Sequence, residues 1–232
     1  MFPVRDLNPT RTTPVITILL IAANLFLFFG VQGRAEEGAD AFLYRRAAIA
    51  CEITTAAPLS PAEAESGDCS SVPEESIFPE KSPWFAIFTS MFLHGSVAHV
   101  LFNMWFLWIF GNNVEEAFGM IGYLIVYLVG GVAATLVFVI ANPSSTIPLV
   151  GASGAIAAIL GVYAVFFPGH RIISLVGWWL VPLPAALFLG IWFVAQFGLG
   201  GTNVAWEAHA GGFAFGLIAA LFLRRRLVSR VY

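Results

Sequence analysis

Five polar residues stand out in stretches that are otherwise apolar: His94, His99 and Asn103, then Ser153 within Gly151-Ala152-Ser153-Gly154, then His209 ahead of Gly212 and Gly216. A serine between small residues has two readings. One is a tight packing spot, because small residues let helix backbones approach closely in lipid. The other is a nucleophile, which needs free space around its oxygen and a base within hydrogen-bond reach. His99 and Asn103 are four apart and share a helix face, where both could donate to a developing oxyanion. His94 lies five residues earlier, about 140° round a helix, which suits a structural or hydrogen-bonding role. Gly212 and Gly216 sit three and seven residues after His209 and form a small-xxx-small pair on its side. The natural partner for that pair is the stretch that opens with Gly151, Ser153 and Gly154. Close approach there would bring His209 to Ser153.

The elements that must position these residues follow from composition. The chain has 232 residues, of which 59% are hydrophobic and 11% charged. A soluble domain carries about 25% charged residues, so the expected class is an all-α polytopic membrane protein. A span of the hydrocarbon core takes roughly 17–25 residues. Apolar runs of suitable length fall at 14–29, 84–110, 118–141, 150–167, 184–198 and 206–223. This predicts a six-transmembrane-helix bundle over 14–224, with tails at 1–13 and 225–232. The first run lacks a small-residue cleavage site and reads as a retained anchor. Residues 111–116, 142–148 and 200–203 read as turns or loops, and His170-Arg171 as a connection. No basic stripe interleaved with aromatics is present, so nucleic acid is not an expected partner. No cofactor or metal site is expected either.

Six spans put both termini on one side. Arg5, Arg11, Arg171, Arg224, Arg225, Arg226 and Arg230 place that side in the cytoplasm by the positive-inside rule, and a prokaryotic plasma membrane is the expected location. Residues 31–83 hold most of the acids and both cysteines and form an outer loop, in which 41–53 could make a short interfacial helix. Cys51 and Cys69 could join on an oxidising side or remain two free thiols. With this topology the second, fourth and sixth spans run outside to inside, so all five polar residues fall in the outer half of the bilayer. An ionisable group there costs roughly 2.5 kcal/mol or more and faces a cavity or a partner. Nothing ionisable continues along the spans toward the cytoplasm, which argues against a transport pathway.

Four motifs now stand in order: His94-x4-His99-x3-Asn103, Asn113-x-Glu115-Glu116-x-x-Gly119, Gly151-x-Ser153-Gly154, and Ala208-His209-x-x-Gly212-x-x-x-Gly216. From about Trp84 to Gly216 the chain resembles the rhomboid intramembrane serine proteases of bacterial and archaeal type, and Arg5-Asp6-x-Asn8-Pro9-Thr10 resembles the bacterial branch. The resemblance implies a dyad of Ser153 as nucleophile and His209 as general base, with no acidic third member. It implies His99, Asn103 and the Ser153 N–H as oxyanion donors, and transmembrane protein segments in the lipid bilayer as substrates, cut near the outer face. His94, Gly151, Gly154, Gly212 and Gly216 support the site. Trp192, Phe193 and Phe197 on the fifth span are either gate residues or lipid-facing aromatics. Two features depart from the family. Ala157 stands where many members place an aromatic against the histidine, and Trp84 has no adjacent arginine. The competing reading is a non-catalytic relative that binds and guides membrane helices.

Overall fold

The computed structural model describes residues 1–69, 75–199 and 204–227. The turn expected at 200–203 and the end of the C-terminal tail, 228–232, lie outside them. Among the described residues, three helical stretches are long and apolar enough to cross a membrane: Val15–Arg34, Val97–Ala141 and Trp206–Leu223. Two shorter apolar helices, Ser153–Phe166 and Ala185–Gln196, accompany them. The result is a mostly helical bundle of the expected class.

The chain does not begin as a solvated tail. Strand β1 (Phe2–Asp6) pairs antiparallel with β2 (Arg171–Val176), which pairs antiparallel with β3 (Trp179–Pro184). The tail expected at 1–13 is therefore a sheet strand over Phe2–Asp6. The Trp105 indole N–H also donates to the Pro3 carbonyl at 2.7 Å, and the Tyr163 hydroxyl donates to the Asp6 carboxylate. The β2–β3 hairpin, turning at Gly177 with φ +59°, replaces the plain connection expected before the fifth span.

Helix α1 (Val15–Phe26) starts at Pro14. A helix start leaves backbone N–H groups without partners, and lipid supplies none. Here the buried Glu115 carboxylate accepts from Ile16 N, Thr17 N and the Thr17 hydroxyl, each at 2.8 Å. Its neighbour Glu116 accepts from Arg11 N at 2.9 Å, and the Asn113 amide donates to Asp6 at 2.7 Å. The expected loop at 111–116 is instead helical, part of a helix that runs on from Val97, and its side chains tie the N-terminal segment to it. After α1 a wider π turn (Leu27–Val31) carries the chain to the buried Gln32.

The segment 31–83 contains α2 (Ala39–Arg46), α3 (Ala50–Thr55) and α4 (Pro61–Ser66). The single helix expected over 41–53 is split at 47–49, where Ala48 bridges Leu149. Cys51 and Cys69 are joined in a disulfide. Beside it lies a buried ion pair. Lys81 Nζ is 2.6 Å from Glu52 Oε2, with both side chains 2% exposed, and Lys81 Nζ also donates to the Tyr44 carbonyl at 2.6 Å. Burial pushes the Glu52 carboxyl above its ordinary range and the Lys81 amine below it, in spite of their pairing. Desolvation thus outweighs attraction, as is common for buried pairs. Lys81→Met alone, which strands the Glu52 carboxylate, is expected to cost about 3–5 kcal/mol, whereas Glu52→Leu with Lys81→Met leaves no buried charge, only the Leu59 N–H and the Tyr44 carbonyl without partners, and is expected to cost less than the single change. Thermal unfolding in detergent distinguishes the two.

The run 84–110 is not one helix. Helix α5 (Pro83–Ser90) is capped by the Ser82 hydroxyl and ends at Met91. Helix α6 (Val97–Ala141) restarts where the Ser96 hydroxyl accepts from His99 N at 3.1 Å. His94 therefore lies in the connection between the two, and helical spacing does not set its direction. At 1.5 Å per residue the 45 residues of α6 would run roughly 68 Å, over twice a hydrocarbon core. Gly119, with φ +70°, breaks it into two arms.

Helix α7 (Ser153–Phe166) is the buried centre, with every residue from Ala155 to Tyr163 buried. Helix α8 (Ala185–Gln196) and helix α9 (Trp206–Leu227) follow. Helix α9 continues four residues past the expected end at Leu223. At 14 residues α7 spans only roughly 21 Å. Because α6 and α9 shield it from lipid, it need not match the bilayer thickness.

Candidate active site

Two features place Ser153. It is the first residue of α7, and the segment leading to it is pinned from three sides. Cys51 N donates to Ser145 O at 3.0 Å, Leu149 N to Ala48 O at 2.8 Å, and Gly151 N to Ser90 O at 3.0 Å. The segment 31–83 therefore supports the approach to Ser153 directly. Gly151 sits at φ +124°, which L side chains rarely adopt. A Cβ there would also lie 2.8 Å from His99 Nε2 and 3.5 Å from Ser153 Oγ, so the His99 ring and the serine oxygen flank one point. As a helix N-terminus, residue 153 has a backbone N–H with no intrahelical partner.

Helix α9 reaches α7 through its glycines. A Cβ on Gly212 would lie 2.1 Å from Gly154 O, and one on Gly216 2.0 Å from Ala158 O. Gly161 of α7 answers from the other side, where a Cβ would meet Phe213 O at 2.2 Å. Backbone lies on backbone, which only small residues allow. At the mouth of this contact His209 Nε2 stands 2.8 Å from Ser153 Oγ.

The remaining expected residues divide. Asn103 is buried and lines the same cavity, of about 800 Å³, as Ser153, His99 and His209. Its Nδ2 is buried without a hydrogen-bond partner, an open donor in a residue that lines the serine's cavity. His94 is fully buried beneath the Gly151-Ala152 turn. Its Nε2 accepts from Ala152 N at 3.5 Å, its ring stands edge-on to His99 at 5.1 Å, and Gln32 brackets its backbone, donating to His94 O and accepting from His94 N. His94 thus braces the turn. Trp192 lines the cavity, and its ring lies 6.2 Å from that of His209, tilted by 34°. An aromatic beside the histidine therefore comes from α8 instead of position 157, and Ala157 sits at the close α7–α9 contact. Phe193 stacks on Phe213 at 4.8 Å, and Phe197 packs against Trp206.

One neighbour of His209 was missed by sequence reasoning. Gln196, at the end of α8, places Oε1 2.8 Å from His209 Nδ1, and its Nε2 donates to the Trp192 carbonyl at 2.9 Å. The only signal was a lone amide in the aromatic run 192–197.

This arrangement has known relatives. The Rhomboid domain matches residues 81–226, more than half of the chain. Rhomboid protease GluP of Bacillus subtilis is 29% identical over 140 residues, 60% of this chain and 26% of its own length. Rhomboid-like protease 5 of Toxoplasma gondii is 34% identical over 143 residues, 58% of this chain and 16% of its own. RHOMBOID-like protein 12, mitochondrial, of Arabidopsis thaliana is 31% identical over 160 residues, 60% of this chain and 46% of its own. The chain thus spans less than half the length of each of these relatives. With the match over 81–226 taking in every residue gathered around Ser153, from His94 to His209, the chain belongs to the rhomboid family.

Proposed function

We propose that this protein is an intramembrane serine endopeptidase that cleaves transmembrane segments of protein substrates near the outer membrane face. The observation that carries this reading is the 2.8 Å pair of Ser153 Oγ and His209 Nε2, set at a cavity with an unpartnered buried donor, Asn103 Nδ2. Ser153 Oγ attacks the scissile carbonyl carbon while His209 Nε2 takes its proton. The carbonyl oxygen becomes an oxyanion, stabilised by the Ser153 N–H, the His99 ring and the Asn103 amide, at a helix N-terminus whose dipole favours negative charge. The tetrahedral intermediate collapses, the C–N bond breaks, and His209 returns the proton to the leaving amine. Water then enters and attacks the acyl carbon while His209 takes its proton; the C–Oγ bond breaks, and His209 returns that proton to Ser153 Oγ, releasing the acid and restoring the hydroxyl.

The same reading places six crossings, with α1, the two arms of α6, α7, α8 and α9 as the spans. It puts the 1–13 and 225–232 tails in the cytoplasm of a prokaryotic cell and the 31–83 segment outside, where the Cys51–Cys69 disulfide suits an oxidising compartment. Both tails carry arginine, as cytoplasmic flanks do.

The test is labelling of the purified protein with a fluorophosphonate probe, alongside cleavage of a transmembrane reporter in liposomes. Wild type is expected to label and cleave, and Ser153→Ala to do neither. A folded wild type that does neither points instead to the non-catalytic, helix-binding reading. Labelling that survives in Ser153→Ala would remove Ser153 as the nucleophile.

A further inference from the structure

A histidine that serves as a base must present the unprotonated nitrogen to the serine. In triads an acid secures this by accepting from the other ring nitrogen. Among the described residues no carboxylate hydrogen-bonds His209; Nδ1 meets the Gln196 amide oxygen instead. The direction of each bond in this chain follows from chemistry. The Trp192 carbonyl can only accept, so the Gln196 NH₂ points at it. The amide oxygen is thereby turned to His209, and since that oxygen only accepts, Nδ1 must carry a hydrogen. A neutral imidazole protonated at Nδ1 has its lone pair at Nε2, the atom 2.8 Å from Ser153 Oγ.

Gln196 is also held firmly enough to impose this choice. It is 5% exposed, and its carbonyl anchor belongs to Trp192, one turn earlier on α8. The Trp192 ring lies beside the imidazole, so one face of α8 supplies both the ring contact and the tautomer-setting acceptor.

We propose that Gln196 is a positioning residue that completes a neutral Ser153–His209–Gln196 relay, holding His209 in the Nδ1–H tautomer through an amide where a triad would use a carboxylate. This rests on the dyad reading above. A neutral amide orients the ring as an acid does but stabilises the imidazolium less, because a hydrogen bond to an ionised acceptor is about twice as strong. Helix α8 meanwhile presents Leu187, Ile191 and Val194 outward and buries few residues. A displacement of α8 away from α9 would therefore remove the acceptor from His209 and disarm the base.

The experiment compares Gln196→Met, close in volume and without an acceptor, Gln196→Leu as a second such variant, and Gln196→Glu, measuring the pH dependence of kcat and kcat/KM for a transmembrane reporter in detergent. Thermal unfolding is recorded for each, and kinetics are interpreted for variants that fold like wild type. Expected are a loss of about 10- to 100-fold in kcat for the Met or Leu variant, the scale of partners that orient a functional histidine, with KM within about twofold. Gln196→Glu keeps an acceptor for Nδ1 but loses the donor to the Trp192 carbonyl; it is expected to recover part of that loss and to move the acid limb of kcat/KM to higher pH by about one unit, since a carboxylate on Nδ1 favours the protonated ring. Wild-type kcat in the Met or Leu variant overturns the proposal. So does an equal loss in Met, Leu and Glu variants with an unmoved acid limb, which would mark Gln196 as packing alone. If Ser153→Ala retains activity, the dyad reading itself fails, and that outcome is distinguishable because it does not involve position 196.

Discussion

His209→Ala is expected to lower kcat for a transmembrane reporter by about 10⁴-fold or more, to the same floor as Ser153→Ala, and the double variant is expected to fall no further. A serine hydroxyl is a weak nucleophile until a base takes its proton, and among the described residues His209 Nε2 is the only base hydrogen-bonded to Ser153 Oγ. His99 lies near, its Nε2 2.8 Å from where a Gly151 Cβ would sit, but makes no hydrogen bond to Ser153 among the described residues. Residues that act as one unit show this non-additivity in kcat, and the activity left after their removal comes from oxyanion donors and binding. The structural cost should be small beside the kinetic one. Removing the imidazole leaves the Gln196 oxygen without its partner, worth about 1–3 kcal/mol if water does not reach it. Single-turnover cleavage of the three variants in liposomes, set beside their unfolding temperatures, checks the expectation. Losses that add in the double variant would mean that Ser153 and His209 act separately.

Much of this site is legible in the sequence because lipid makes polar residues conspicuous. Ser153, His99, Asn103 and His209 interrupt apolar runs, and the Gly212–Gly216 pair points to the helix that α9 must touch. What escapes notice is whatever depends on rotation or on distant pairing. Gln196 meets His209 only because α8 turns that face toward α9, and no spacing in 185–198 encodes the turn. Strand β1 pairs with residues about 170 positions away, and Pro3 within it weakens any local strand signal. Gly177 did carry a hairpin signal, a two-residue loop between paired Val176 and Trp179, but it was hidden inside an apolar stretch that reads as an approach to a span. The break at 91–96 shows the opposite case. Gly95 and the Ser96 cap were visible, yet the apolar count across 84–110 favoured one long helix. Residues 113–119 were legible as a motif but not as a structure, since their side chains serve a segment a hundred residues earlier.

Gly216→Ala is expected to be the most damaging single-methyl change in the bundle. The added Cβ would lie 2.0 Å from Ala158 O and 3.0 Å from Ala158 Cα. Both are backbone atoms of the central helix, so no side-chain rotation can relieve the overlap, and α9 must move off α7. Overpacked cores lose typically 1–3 kcal/mol, occasionally more, and a backbone clash belongs at or above the top of that range. The kinetic consequence is separable from the thermodynamic one. The Ser153–His209 bond spans the same two helices two turns away, and a shift of a fraction of an ångström takes a 2.8 Å bond out of good geometry. Fluorophosphonate labelling should therefore fall by more than the folded fraction does. Gly190→Ala is the matched control, because a Cβ on Gly190 of α8 would meet nothing within 4 Å, and alanine is the better helix former. That variant should unfold at or above the wild-type temperature and label at the wild-type rate. A Gly216→Ala protein that matches it in both respects would show that the α7–α9 contact has slack that the geometry does not allow. The close packing would then not be what holds His209 on Ser153.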